Sequence, residues 1–209
     1  MKNATKHADD LKSLCRKLVK EHKPQPKSAQ EPLNALVRGA MSFNVSDERA
    51  EQAMKAIEKE FVDLNELRVA TDLEIQEMLG QRYPEIERRV AMITQSLNNI
   101  FEREHTLSLN RLKEISRRDA RQFLRELPDV HPFVEAYVML FSLDGNAFPL
   151  DESMLDYLRE EEVFDEEASL EDAQKFIEHH IKAEEIYGFY VSLRNASMDD
   201  AKGKKKAKA

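Results

Sequence analysis

Between Val134 and Leu143 the chain reads VEAYVMLFSL, and a helix built from these residues has almost no polar face to turn toward water. Such a helix is stable only where other helices nearly surround it. Pro132 stands just ahead, at the first helical position, where a missing N–H costs nothing and a fixed φ is already right. The centre of the molecule is therefore a buried helix, and the rest of the chain must supply its cover.

The punctuation elsewhere is regular, and apolar residues follow each break at helical spacing. Lys23-Pro24-Gln25-Pro26-Lys27 reads as a linker after a short first helix. Pro32 opens a helix whose Leu33, Leu36, Val37, Ala40 and Met41 share a face. Ser46 is placed to cap the next, with Ala50, Ala53, Met54, Ile57 and Phe61 inward. Thr71 and Glu74 form a capping-box pair ahead of Ile75, Met78 and Leu79. After Pro84, Ile86, Val90, Ile93, Leu97 and Phe101 outline a longer core helix. Ser116 begins a segment that leads to Phe123, Leu124 and Leu127, and Pro128 stops it. Asp144-Gly145-Asn146 turns the chain. Asp151 is placed to cap a helix carrying Met154, Leu155 and Leu158, and Ser169 with Asp172 starts another through Ala173, Phe176, Ile177 and Ile181. A last helix passes Ile186, Tyr190 and Leu193.

Composition points the same way: 5 Gly and 7 Pro against 34% charged residues favour helices over turn-rich sheets. With 209 residues, 41% of them hydrophobic, the chain can build one sizeable helical domain or two small ones. Cys15 is the one cysteine, which excludes an internal disulfide and a four-cysteine metal or iron–sulfur site, and fits a reducing cytoplasm. It reads as an inert thiol. No apolar run approaches the roughly 20 residues of a membrane span, and MKNATKHADD lacks a signal peptide's apolar stretch. A soluble cytoplasmic protein without a membrane partner is expected. No Gly-rich phosphate loop is present, and the neighbours His179 and His180 point in different directions on a helix. No metal or cofactor is expected.

The net charge of −8 opposes bulk attraction to a polyanion, but its distribution is uneven. Arg111, Lys113, Arg117, Arg118, Arg121 and Arg125 face only Glu114 and Asp119 over fifteen residues. From Asp151 to Asp172 the chain is strongly acidic, opposed by Arg159 alone. The first run is a candidate phosphate-facing patch and the second would repel DNA; charge runs are usually solvated faces, and both are readable that way. The tail KGKKKAKA is low-complexity, expected to be disordered, and either adds nonspecific affinity for nucleic acid or merely solubilises the terminus.

A helix, a short proline-containing hairpin, a buried helix, a loop and an aspartate at a helix start follow one another in this chain. That order resembles the endonuclease III family of the helix-hairpin-helix (HhH-GPD) DNA glycosylase superfamily. The family hairpin reads Leu-Pro-Gly-Val-Gly, a basic or proline position, then Lys-Thr-Ala, and its loop ends Pro-Val-Asp-Thr-His. Here the corresponding stretches are Leu127-Pro128-Asp129-Val130-His131-Pro132-Phe133-Val134-Glu135 and Pro149-Leu150-Asp151-Glu152-Ser153. Upstream, Ser42-Phe43-Asn44-Val45-Ser46-Asp47 is similar to the family's Ser-x-Gln-x-Thr-Asp, and Arg89-Val90 looks like its Lys-Ala helix. The likeness spans Pro32 to Asn195 and implies an all-α, two-lobed domain, here without the family's four-cysteine cluster. The corresponding division is an N-terminal helix and basic linker (1–30), the glycosylase-like domain (31–197) and the Lys-rich tail (198–209).

The resemblance implies roles for particular residues. Asp151 takes the place of the catalytic aspartate at the groove between the lobes, and Asn44 that of the glutamine that enters DNA. Asp129, Val130, His131 and Pro132 take the place of the phosphate-gripping hairpin, flanked by Arg117, Arg118 and Arg121. The departures matter as much. Both hairpin glycines are replaced, and Asp129 sets a negative charge near a phosphate, which costs roughly 1 kcal/mol in water and up to about 4 at a protein surface. Protonation of His131 would offset part of this. Phe133 stands where bifunctional members keep the lysine that forms a Schiff base, and it has no nucleophile to offer. Phe133 and Tyr137 are readable as base-stacking or as core residues.

Two functions follow from this pattern. One is a monofunctional DNA N-glycosylase in which Asp151 stabilises an oxocarbenium-like sugar and assists water. The other is a descendant without catalysis, kept as a module that binds DNA or, through Glu160 to Glu167, a protein.

Overall fold

The computed structural model describes the backbone from Ala4 to Ala207 and the side chains from Thr5 to Asp200. Among the described residues every regular element is a helix. Helix α1 (Ala4–His22) is followed by α2 (Pro32–Ser42), α3 (Asp47–Glu60), α4 (Leu64–Val69), α5 (Asp72–Leu79) and α6 (Ile86–Glu104). A 3-10 turn (Asn110–Lys113) leads to α7 (Arg117–Arg125) and α8 (Pro132–Ser142), and α9 (Glu152–Glu160), α10 (Leu170–His180) and α11 (Ala183–Ala207) complete the chain. No described helix is long and apolar enough to cross a membrane.

The helices form two compact units. Ala29–Leu143 is one unit; Met1–Ser28 joins Asp144–Ala209 in the other. The reason is packing: α1 lies along α11 and buries Leu11, Leu14 and Leu18 within its own unit. His7 at its start donates from Nδ1 to the Val163 carbonyl at 2.8 Å. In the same unit α9 packs on α11 and on α10. Helix α11 continues to Ala207, and the side chains of the lysine tail lie outside the described residues.

The Ala29–Leu143 unit is built around α8, whose residues from Phe133 to Ser142 are all buried. Its main partner is α2, and α7 covers another side. The approach to α2 is close at Gly39: a Cβ there would lie 3.2 Å from the Tyr137 Cβ, so the neighbour would have to shift. Phe133 and Tyr137 are thus core residues, and burying each such side chain stabilises the unit by roughly 1.5–3 kcal/mol. The remaining helices α3, α4, α5 and α6 pack in turn on α2 and on one another. Phe101 departs from the expected core face: one turn from the end of α6 it is 39% exposed, and the Arg68 guanidinium lies 4.3 Å from its ring centroid.

Candidate functional site

The end of α2 is held by side chains from α6 and the loop before it. Arg89, buried in the core, donates to the carbonyls of Ala40, Phe43 and Pro84, the latter two at 2.7 Å each. The Tyr83 hydroxyl donates to the Met41 carbonyl at 2.7 Å. Carbonyls left open at a helix C-terminus carry the negative end of the macrodipole, so a guanidinium there satisfies both hydrogen bonding and charge. Asn44 follows immediately, exposed and left-handed at φ 52°, a conformation its side chain tolerates better than most. The structure therefore presents Asn44 at a fixed bend.

The turn between α7 and α8 is made without glycine. Asp129 is exposed and takes φ 52°, the left-handed region that glycine occupies most easily. His131 caps α8, accepting the Phe133 N–H on Nδ1 at 3.1 Å, which requires that nitrogen to be unprotonated. Its ring lies 4.0 Å from that of Phe43, centroid to centroid. Burial and then the nearby Arg88 push its pKa below the ordinary histidine value, while Glu85 pulls the other way. The expectation that a protonated His131 offsets Asp129 thus meets a residue whose cap and surroundings favour the neutral ring. Val130 is half-buried and Pro132 is exposed at the first position of α8.

Much of the basic segment is engaged by carboxylates of its own unit. Arg111 forms a bidentate pair with Glu104, at 2.8 and 2.6 Å. Glu135, 1% exposed on α8, accepts from Arg121 Nε on one oxygen and from Arg125 Nε at 2.8 Å on the other. A buried carboxylate is tolerated only with such partners. Arg121, expected to face phosphate, is thereby committed to joining α7 to α8. Arg117 and Arg118, in the first turn of α7, are exposed and form no ion pair among the described residues.

Asp151 belongs to the other unit. It caps α9, one carboxylate oxygen accepting the Met154 N–H at 2.9 Å. The second oxygen accepts from Arg194 Nη1 of α11 at 3.1 Å, and the two residues are 3% and 2% exposed. The loop before it is fixed to α10 through Glu178, whose carbonyl takes the Asn146 amide at 2.8 Å and whose carboxylate takes the Phe148 N–H at 2.9 Å. The capping role is realised, and the carboxylate also has a cationic partner that sequence reasoning missed. The only trace of it was an arginine within the apolar face of the last helix. Glu135 was likewise missed, although it is the one charged residue in the central apolar run. Phe43, His131 and Asp129 come together in the Ala29–Leu143 unit beside the bend that carries Asn44. No group of three or more His, Cys, Asp or Glu side chains among the described residues is arranged to hold a metal ion.

No protein-family model matches the sequence, and no curated protein matches it. Solved structures do resemble the fold. The Clostridium acetobutylicum 8-oxoguanine glycosylase/lyase, in complex with dsDNA containing cytosine opposite 8-oxoG, superposes with a TM-score of 0.73 at 18% identity, over 94% of this chain and 70% of that one. Endonuclease III in a trapped covalent intermediate with DNA gives 0.72 at 12% identity, covering 90% and 84% of the two chains. The H. pylori 3-methyladenine DNA glycosylase bound to 1,N6-ethenoadenine gives 0.68 at 14% identity, covering 95% and 98%.

Proposed function

We propose that this chain, which has the fold of the helix-hairpin-helix DNA glycosylases, is a divergent member of that superfamily that holds distorted DNA without excising bases. The observation that carries this reading is the Asp151–Arg194 pair. A glycosylase carboxylate works by facing a developing positive charge on the sugar, and its value there is its own uncompensated negative charge. With one oxygen given to the α9 backbone and the other to a buried guanidinium, Asp151 has its charge balanced internally. Phe133 supplies no amine for a lyase step. The elements on which DNA binding rests remain exposed: Arg117 and Arg118, the hairpin residues Asp129 and Pro132, and Asn44 at its bend.

The test pairs binding with chemistry. Duplexes with an uncleavable abasic-site analogue are expected to bind more tightly than undamaged duplex at low salt, and a panel of lesion duplexes is expected to release no base. The second reading, a monofunctional N-glycosylase, is favoured by the position of Asp151 at a helix start just after Pro149. Base release by the native protein that Asp151→Asn abolishes would establish that reading instead. Absence of binding to every duplex at low salt would direct attention to a protein partner, with the acidic Glu160–Glu167 segment as the surface to examine.

A further inference from the structure

Leu33, at the start of α2, and Phe101, near the end of α6, line one open groove of about 440 Å³ in the Ala29–Leu143 unit. Leu64 of α4 and Leu107 beyond α6 add to its apolar lining, and Asp63 and His105 also line it. Val62, next in sequence to Asp63, is 94% exposed, and Phe101 is itself exposed. Isolated exposed apolar side chains are ordinary, but these two stand at a concave apolar surface. Arg68 lies over one face of the Phe101 ring and is tied to Asn65 at 3.1 Å and to Asn98 at 2.9 Å, so it is fixed there rather than free to swing across the groove.

The rim sets the charge of what can dock. Asp63 accepts the Glu66 N–H at 2.9 Å, and Glu66 in turn accepts the Val62 N–H at 2.6 Å, which holds both carboxylates beside Val62. Between Glu58 and Glu77 every acidic residue is exposed, and Lys59 and Arg68 are the only bases. Arg103 of α6 is paired with Glu126 at 3.4 Å. Such a rim repels nucleic acid and anionic membrane alike, and a two-fold contact with a second copy would set it against itself. We propose that the groove docks a cationic amphipathic segment of a partner protein, its aliphatic side chains on Leu33, Leu64 and Phe101 and its lysines or arginines at Asp63 and Glu66. The site is independent of the DNA-binding reading. Arg89, in the first turn of α6, holds the end of α2, whereas the groove joins the start of α2 to the end of α6; the helical rise from Arg89 to Phe101 is about 18 Å. A partner in the groove therefore leaves the bend at Asn44 open.

The full chain, labelled with 13C in its valine and leucine methyls, is titrated with a synthetic peptide of leucine and lysine patterned as an amphipathic helix, and affinity is followed by fluorescence anisotropy of the labelled peptide. Saturable binding that weakens with salt is expected, with shifts at the Val62 methyls, assigned through Val62→Asn. Phe101→Ser is expected to reduce affinity roughly tenfold, the worth of losing one partly buried aromatic contact. Val62→Asn, at a side chain that packs on almost nothing, is expected to weaken binding without disturbing the fold. A scrambled peptide of the same composition and a leucine–glutamate counterpart are expected not to bind. The proposal is overturned if the peptide fails to bind at low salt, if the scrambled peptide binds as well, or if neither variant weakens binding. It is overturned in favour of a second copy if sedimentation shows a dimer that Val62→Asn dissolves, and in favour of DNA if a duplex with an abasic-site analogue alone moves the Val62 methyls.

Discussion

Arg194 and Asp151, forty-three residues apart in sequence, meet at 3.1 Å with almost no solvent on either. Each justifies the burial of the other, because a buried charge left alone is far more costly than a buried pair. Arg194→Met is expected to lower stability by about 3–5 kcal/mol. The double variant Asp151→Asn/Arg194→Met should lose much less than the two single losses combined, a coupling of about 1–3 kcal/mol. Urea unfolding of the four proteins measures it, and simple additivity would mean that the two charges do not interact.

Glu135 makes a comparable prediction for the hairpin. Glu135→Gln keeps the shape but removes the charge that Arg121 and Arg125 share, and a loss of about 1–3 kcal/mol is expected. Because the change also releases two guanidiniums toward solvent, DNA affinity should rise and become more salt-dependent. Anisotropy over a salt series checks this; an unchanged salt slope would show that the arginines do not face the DNA.

How much of this was legible beforehand depends on whether the signal was local. Caps and prolines act within a few residues of their own backbone, so the Thr71–Glu74 capping box and the α8 start at Pro132 stand where sequence placed them. Helix α4 escaped notice although Asp63 caps it, accepting from the Asn65 and Glu66 N–H groups at 2.9 Å each, because six residues are too few to show a periodic face. The partners of Asp151 and Arg121 escaped for a different reason. Ion pairs formed between helices depend on packing, and a charge within an apolar face marks one partner without naming the other.

The hairpin backbone predicts an unusual tolerance. Asp129 sits at φ 52°, where a side chain of average type costs roughly 1–2 kcal/mol. Asp129→Gly should therefore be at least as stable as the native protein despite the flexibility it adds, and Asp129→Val should be less stable by about 1–2 kcal/mol. Denaturation midpoints of the three decide it. A destabilised glycine variant would mean that the aspartate side chain holds the turn.

His131 gives the molecule a pH dependence of determined sign. Its pKa is lower in the folded state than in the unfolded chain, so acid favours the unfolded state, which binds the proton more readily. The stability it contributes is complete above the ordinary histidine value of about 6.5 and is lost as pH falls through the folded value. His131→Asn, which can still cap α8, should flatten urea midpoints between about pH 8 and pH 5. An identical slope in both proteins would assign the dependence elsewhere.

Cys15, buried in the unit that contains α1, has its thiol pushed up to about 11, first by burial and then by Glu185. Thiol reagents near neutral pH should modify the native protein very slowly and the urea-unfolded chain fast, which a timed absorbance assay resolves.

The stapling of the last α2 carbonyls by Arg89 and Tyr83 bears on how quickly a partner could be engaged. A recognition loop that hardens only on contact charges its ordering entropy against the complex and slows productive encounters. The bend at Phe43 and Asn44 is already rigid when the chain has folded. Whatever docks there meets a finished template, so residence time rather than rate of capture would distinguish a good ligand from a poor one.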